Sequence, residues 1–141
     1  MVSNHGGRAL DSAPSTVMVL LELRRDFPAA FEQMEVFVDG GIRRGSDVLK
    51  ALCLGVRGVA VGRPFQCAVA YGRGGVEHCA EILQDELQTA MRLCGAPDVD
   101  RVRGDMSFLN TSELEPLLPP KRERYPPLHQ PSVWRRILSK L

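Results

Sequence analysis

Two short apolar runs, each ending in a glycine-bearing turn with an arginine at hand and each followed by a helical stretch, constrain this chain more than any other feature. Met34 to Val38 is rich in β-branched and aromatic residues and stops at Asp39-Gly40-Gly41, which predicts a buried strand and a turn. Gly58 to Val61 is the second run and stops at Gly62-Arg63-Pro64. Between them Ser46 is a candidate N-cap with Asp47 in the first turn. Val48, Leu49, Ala51, Leu52 and Leu54 form the apolar side of that helix, and Gly55 is its stop. Upstream, Thr16 to Phe27 reads as a helix between Pro14 and Pro28. Downstream, Pro64 suits a first helical turn. Phe65 to Tyr71 is a short helix, Gly74-Gly75 breaks it, and Val76 to Cys94 is a long one. Its apolar stripe is Val76, Cys79, Ala80, Leu83, Leu87, Ala90, Met91 and Cys94.

The order helix, strand, helix, strand, helix, helix implies an α/β fold with a parallel sheet under helices. Two strands are too few for such a sheet, because both faces and both edges need cover. The expectation is that further strands precede residue 1.

Composition removes several classes. The chain has 141 residues, 44% hydrophobic and 25% charged, with a net charge of +1. That balance predicts no nucleic-acid partner and no membrane surface, and no apolar run is long enough to span a bilayer. Cys53, Cys67, Cys79 and Cys94 form no C-x-x-C pair and lie near no histidine at ligand spacing, so no metal site is expected. They read as reduced, small apolar core residues. Residues 119–141 differ from the rest: they carry five of the ten prolines, the basic pairs Lys121-Arg122 and Arg135-Arg136, Tyr125 and the single Trp134. They read as a surface tail, or alternatively as a basic contact element with a short amphipathic helix over 132–141.

Three clusters carry candidate chemistry: Ser3 to Arg8, Asp39 to Gly45, and Gly62 to Pro64. Glycine lets backbone N–H groups approach a phosphate closely, and arginine supplies a charged fork. Each cluster alone is compatible with ordinary turn chemistry. Their succession at the ends of consecutive strands is far more specific.

These residues resemble the FMN-dependent 2-hydroxy-acid dehydrogenases and oxidases. The family signature S-N-H-G-x-R-Q-L-D is similar to Ser3 to Asp11, D-G-G-x-R-x-G-x-D-V to Asp39 to Val48, and G-R-P to Gly62 to Pro64. Tyr71 to Gly95 is most similar to the flavocytochrome L-lactate dehydrogenase branch. The resemblance covers about residues 2–118, and the tail from Lys121 has no counterpart. Ala9 stands where the family has Gln, which removes no catalytic group.

The resemblance implies part of a TIM (β/α)8 barrel, roughly its last two strand–helix units plus C-terminal helices, with residues 1–118 in the barrel and 119–141 as tail. Such barrels run to about 250 residues, so the rest of the barrel is expected ahead of residue 1. So are the substrate-binding tyrosines, the flavin-side lysine and the carboxylate that pairs with the catalytic histidine. It implies FMN as cofactor and a small 2-hydroxy acid, with L-lactate favoured, as substrate. His5 takes the place of the base and Arg8 that of the carboxylate clamp. Asp39, Gly41 and Arg43 match flavin-binding positions, and Gly62 and Arg63 match phosphate-binding ones. A homo-oligomer is expected if the barrel is complete.

The chemistry agrees with those roles. Neutral imidazole is available near pH 7 to take a proton, and guanidinium binds a carboxylate at two points without losing its charge. Inosine-monophosphate dehydrogenase and glutamate synthase barrels share similar phosphate loops but not this His-x-x-Arg pair. A catalytically inactive FMN-binding remnant or interaction fragment is the alternative reading. Compartment is open between peroxisome, mitochondrion and cytoplasm. Ser139-Lys140-Leu141 matches the peroxisomal tripeptide.

Overall fold

The structure is a computed structural model and describes residues 1–121. The tail features from Arg122 onward, including the 132–141 helix and Ser139-Lys140-Leu141, lie outside the described residues.

A small parallel sheet sits at the centre. Strand β1 is Phe37–Val38 and β2 is Gly58–Val59, paired in parallel with Phe37 opposite Gly58 and Val38 opposite Val59. Ladder bonds continue beyond them, from Arg57 N–H to Val36 O and from Ala60 N–H to Val38 O. A third segment joins on the other side of β1: Val2 forms a parallel bridge to Val38, with Val2 N–H donating to Phe37 O and Asp39 N–H to Val2 O. The expected strand from Met34 starts later, because Met34 N–H is spent on Ala30 O at the end of helix α2 (Ala30–Gln33).

Helix α1 is Thr16–Asp26 and α3 is Gly45–Cys53. The buried side of the sheet, Val36 and Val38, packs with Leu20 and Leu21 of α1, Ala51 of α3, and Leu54 and Val56. A second cluster joins Leu49, Leu52 and Cys53 of α3 to Met91, Ala96 and Val102. Leu20, Val56 and Val102 are almost completely removed from water, and each such side chain contributes about 1.5–3 kcal/mol by burial.

Several local expectations are corrected. Ser46 does not cap α3. Arg44 holds the N-cap position, and the Asp47 carboxylate accepts from the backbone N–H of both Arg43 and Arg44, each at 3.1 Å. The break expected at Gly74-Gly75 falls earlier. Helix α4 is Arg63–Val69, and α5 runs from Gly72 to Leu93 with both glycines inside it. Gly72, at φ +69°, makes the turn instead. Gly75 sits where α5 crosses α4, and a Cβ there would run into Ala68 O and Tyr71 Cβ. Along the long helix only Met91 is buried, whereas Ala80 and Cys94 of the expected stripe are exposed. The four cysteines are free, but only Cys53 is a core residue: Cys79 is half-buried, and Cys67 and Cys94 are exposed. Burial pushes the Cys53 thiol up from its ordinary value. Helix α6 (Val99–Val102) and single turns at 106–108 and 115–117 complete the described chain.

Candidate functional site

All three predicted clusters leave the same end of the parallel sheet. The first follows Val2. His5, Gly6 and Gly7 have φ of +53°, +63° and +76° in succession. His5 is the unusual member, since non-glycine residues seldom adopt this region, although histidine does so more often than most. The loop closes on itself through Gly7 N–H to Asn4 O at 2.9 Å, Arg8 N–H to His5 O at 3.3 Å and His5 N–H to Ser3 Oγ at 3.1 Å. The side chains of His5 and Arg8 are exposed and make no hydrogen bond or ion pair among the described residues.

The second cluster follows β1. Gly40 and Gly41 lie at φ +84° and +83°. Thr16 Oγ1, at the start of α1, donates to Gly40 O at 3.1 Å. Asn4 donates through Nδ2 to Pro14 O at 3.3 Å, and its Oδ1 faces Gly40 so closely that a Cβ there would lie 2.8 Å away. Asn4 and Thr16, neither singled out from sequence, thus tie the first loop, the second turn and α1 together. Asn4 stands inside the Ser3 to Arg8 cluster, so its sequence signal was present. Thr16 had none.

The backbone N–H groups of Arg43, Arg44 and Gly45 at the start of α3 already have carboxylate partners. Asp47 takes those of Arg43 and Arg44, and Glu86 of α5 accepts from Gly45 N–H at 2.9 Å and from Arg44 Nη1 at 2.8 Å. The Gly45 hydrogen bond first, and then Arg44, hold the Glu86 carboxyl below its ordinary range. Glu86 lies 41 residues from Gly45 in sequence, and no local pattern marks it. Those carboxylates leave the Arg43, Arg44 and Gly45 N–H groups unavailable to an anion at this end. The Arg43 side chain is exposed and has no partner among the described residues.

The third cluster follows β2. Arg63 opens α4 and reaches back to the first loop, with Nη2 donating to Gly6 O at 3.4 Å. A cleft of about 960 Å³ begins here. Asn4, Gly6, Gly7, Gly41, Arg43 and Arg63 share its wall, and it continues between α1 and α3 to the segment 108–114. Of the predicted residues, Gly41, Arg43 and Arg63 line this cleft, and His5, Arg8, Asp39 and Gly62 stand outside its lining. Two buried oxygens here, Asn4 Oδ1 and Asp39 Oδ1, have no hydrogen-bond partner. No group of three or more His, Cys, Asp or Glu among the described residues could hold a metal ion, and no helix among them is long and apolar enough to cross a membrane.

Comparison with known proteins decides the family. The pattern of the FMN-dependent dehydrogenases matches residues 1–109. The chain belongs to that family. L-Lactate dehydrogenase (cytochrome) of Saccharomyces cerevisiae is 48% identical over 117 residues, which is 79% of this chain and 19% of the relative. A peroxisomal (S)-2-hydroxy-acid oxidase of Oryza sativa subsp. japonica is 50% identical over 103 residues, 72% of this chain and 27% of the relative. Among solved structures, an arginine-to-lysine mutant of flavocytochrome b2 superposes with a TM-score of 0.73 at 41% identity, covering 96% of this chain and 34% of that one. The chain of this FMN-dependent dehydrogenase family member thus spans about a fifth to a third of the length of the relatives it matches.

Proposed function

We propose that this chain supplies the flavin-phosphate end and the His-Arg loop of an FMN-dependent enzyme that oxidises an L-2-hydroxy acid, L-lactate first among them, to the 2-oxo acid. The observation that carries the reading is the meeting of three strand-end loops in one cleft, with Arg63 of the third touching Gly6 of the first and Arg43 of the second beside them. The family assignment and the names of the yeast and rice relatives support the same chemistry.

The residues fit FMN. Asp39 Oδ1 is buried without a donor, and a buried carboxylate oxygen needs one. The polyol hydroxyls of FMN are donors of that kind. Arg43 and Arg63 have guanidinium edges to spare for the phosphate, and nothing lies within 4 Å of where a Cβ on Gly41 or Gly62 would stand. FMN, when bound, supplies the two-electron acceptor. Arg8 holds the substrate carboxylate in a two-point fork. His5, as neutral imidazole, takes the proton released when the hydroxyl carbon becomes a carbonyl. Residues 1–118 form this unit within a TIM-barrel arrangement, the small parallel sheet being its last strands. The peroxisomal reading rests on Ser139-Lys140-Leu141 and on the compartment named for the rice relative.

The test replaces the aligned segment of the yeast lactate dehydrogenase with residues 2–109 of this chain. The chimera is expected to oxidise L-lactate, and His5→Gln in it to lower kcat by about 100-fold or more, the scale of general-base catalysis. An inactive but folded, flavin-loaded chimera overturns the catalytic reading and favours an FMN-binding remnant. In the 141-residue chain, Arg43→Gln and Arg63→Gln should each weaken FMN binding about 10- to 100-fold, since hydrogen bonds to charged groups contribute about 1.5–3 kcal/mol. Fluorescence titration reads this directly.

A further inference from the structure

We propose that Arg63 is a positioning residue as well as a phosphate ligand: through Gly6 O it couples occupancy of the phosphate site to the geometry of the His5–Arg8 loop. The inference rests on the phosphate reading above and goes beyond it, because it assigns Arg63 a second client.

The loop needs an outside tie. Three consecutive residues in the left-handed region are strained or entropically costly, and the bonds that close the loop are local ones to Ser3, Asn4 and His5. Apart from the strand before it and the Asn4 amide, the connection to another element is Arg63, 57 residues away. The approach is close: a Cβ on Gly6 would stand 3.3 Å from Arg63 Nη2, so a side chain there would press on the guanidinium tip. The contact itself is long, at 3.4 Å, and a neutral carbonyl at that distance holds a mobile guanidinium weakly.

A guanidinium has five donors in a planar fork. One edge can keep the Gly6 carbonyl while another takes phosphate oxygens. Phosphate on the second edge fixes the plane of the group and so fixes the first edge. The two ligation states then differ in how firmly Gly6 is held, which is the differential contact that any ligand-driven change requires. His5 and Arg8 flank Gly6 in the same loop, so filling the phosphate site arranges the groups that meet the substrate. Lysine cannot reproduce this, because a point charge satisfies phosphate without a second rigid edge.

The experiment measures amide exchange at Gly7 and Arg8, and the imidazole Cε1–H resonance of His5, in the full 141-residue chain. His78 on α5 is the internal control. Three probes are titrated: FMN, riboflavin, and inorganic phosphate. FMN and inorganic phosphate should slow exchange at Gly7 and Arg8 about tenfold, within the usual range of coupling between sites, and should move the His5 resonance but not that of His78. Riboflavin, which lacks the phosphate, should do neither. Arg63→Lys should still bind phosphate but lose both responses. Arg43→Gln should bind more weakly and keep both at saturation.

FMN binding with an unchanged loop overturns the coupling and leaves the flavin reading standing. Phosphate-dependent protection without FMN binding does the reverse. Protection that survives in Arg63→Lys also overturns the proposal, as does equal protection by riboflavin. Binding of none of the three probes overturns both readings.

Discussion

At the scale of single residues, the site is held by backbone contacts that leave no room for side chains. Gly45 is the sharpest case. It begins α3 directly against α5, where an added Cβ would collide with Leu87 N and with the Glu86 carbonyl carbon. These are main-chain atoms of a regular helix and cannot rotate away. Gly45→Ala should therefore destabilise the chain by about 1–3 kcal/mol, the usual cost of overpacking, visible as a lower urea midpoint. A change within experimental error would mean that α3 and α5 do not touch there. The glycine-rich motif announced a turn at this place, whereas its reason is contact with a helix 41 residues downstream. A sequence shows which positions are small, but it does not show which distant element makes them so. Asn4 tells the same story. It lay within the recognised motif, yet its amide bond to Pro14 and its closeness to Gly40 emerge only once α1 has folded back.

At the scale of elements, Glu86 fastens α5 to the start of α3 through Gly45 N–H and Arg44. Its folded-state carboxyl titrates below the ordinary range. A depressed folded pKa means that the contribution to stability is fully present above the unfolded value, about 4.3 for Glu. It is lost as pH falls through the folded value. Glu86→Ala should thus lower the urea midpoint at pH 7, and the gap between variant and parent should shrink below about pH 4. Equal gaps at pH 7 and pH 3 would show that the carboxylate charge plays no part. The helix boundaries follow from the same logic of competing partners. α1 was readable because Pro14 and Pro28 bracket it. The α4–α5 break was misplaced because two adjacent glycines look like a breaker, while Gly75 is needed where the helices cross and Gly72 can turn the chain. Ser46 looked like a cap, but α3 already starts at Gly45 with Arg44 at the N-cap, so Ser46 lies inside the helix. The cysteines misled in another way. Their apolar neighbourhoods in sequence belong to α4 and α5, which bury few residues in this structure.

At the scale of the whole molecule, the alternation of short apolar runs with helices was enough to predict parallel pairing, because only a crossover connection joins strands in that way. It did not settle how much of the sheet is covered. α1 and α3 contribute to the cluster on one face, where Val36 and Val38 are 7% and 2% exposed. Phe37, between them, points the other way and is 40% exposed, its ring lying against Gly58. Period-two alternation normally separates a packed face from a wet one, yet here the outward residue is a large aromatic. The two faces should therefore respond differently to truncation. Val38→Ala removes buried carbon from a filled cluster and should cost about 2 kcal/mol, from about 0.8 kcal/mol for each buried methylene plus a cavity term. Phe37→Thr keeps a residue that favours strands and removes a ring that is 40% exposed, so it should cost less, about 1 kcal/mol. Urea unfolding of both variants in the 141-residue chain distinguishes these outcomes. A Phe37→Thr loss as large as that of Val38→Ala would mean that the second face of the sheet is covered in solution as firmly as the first.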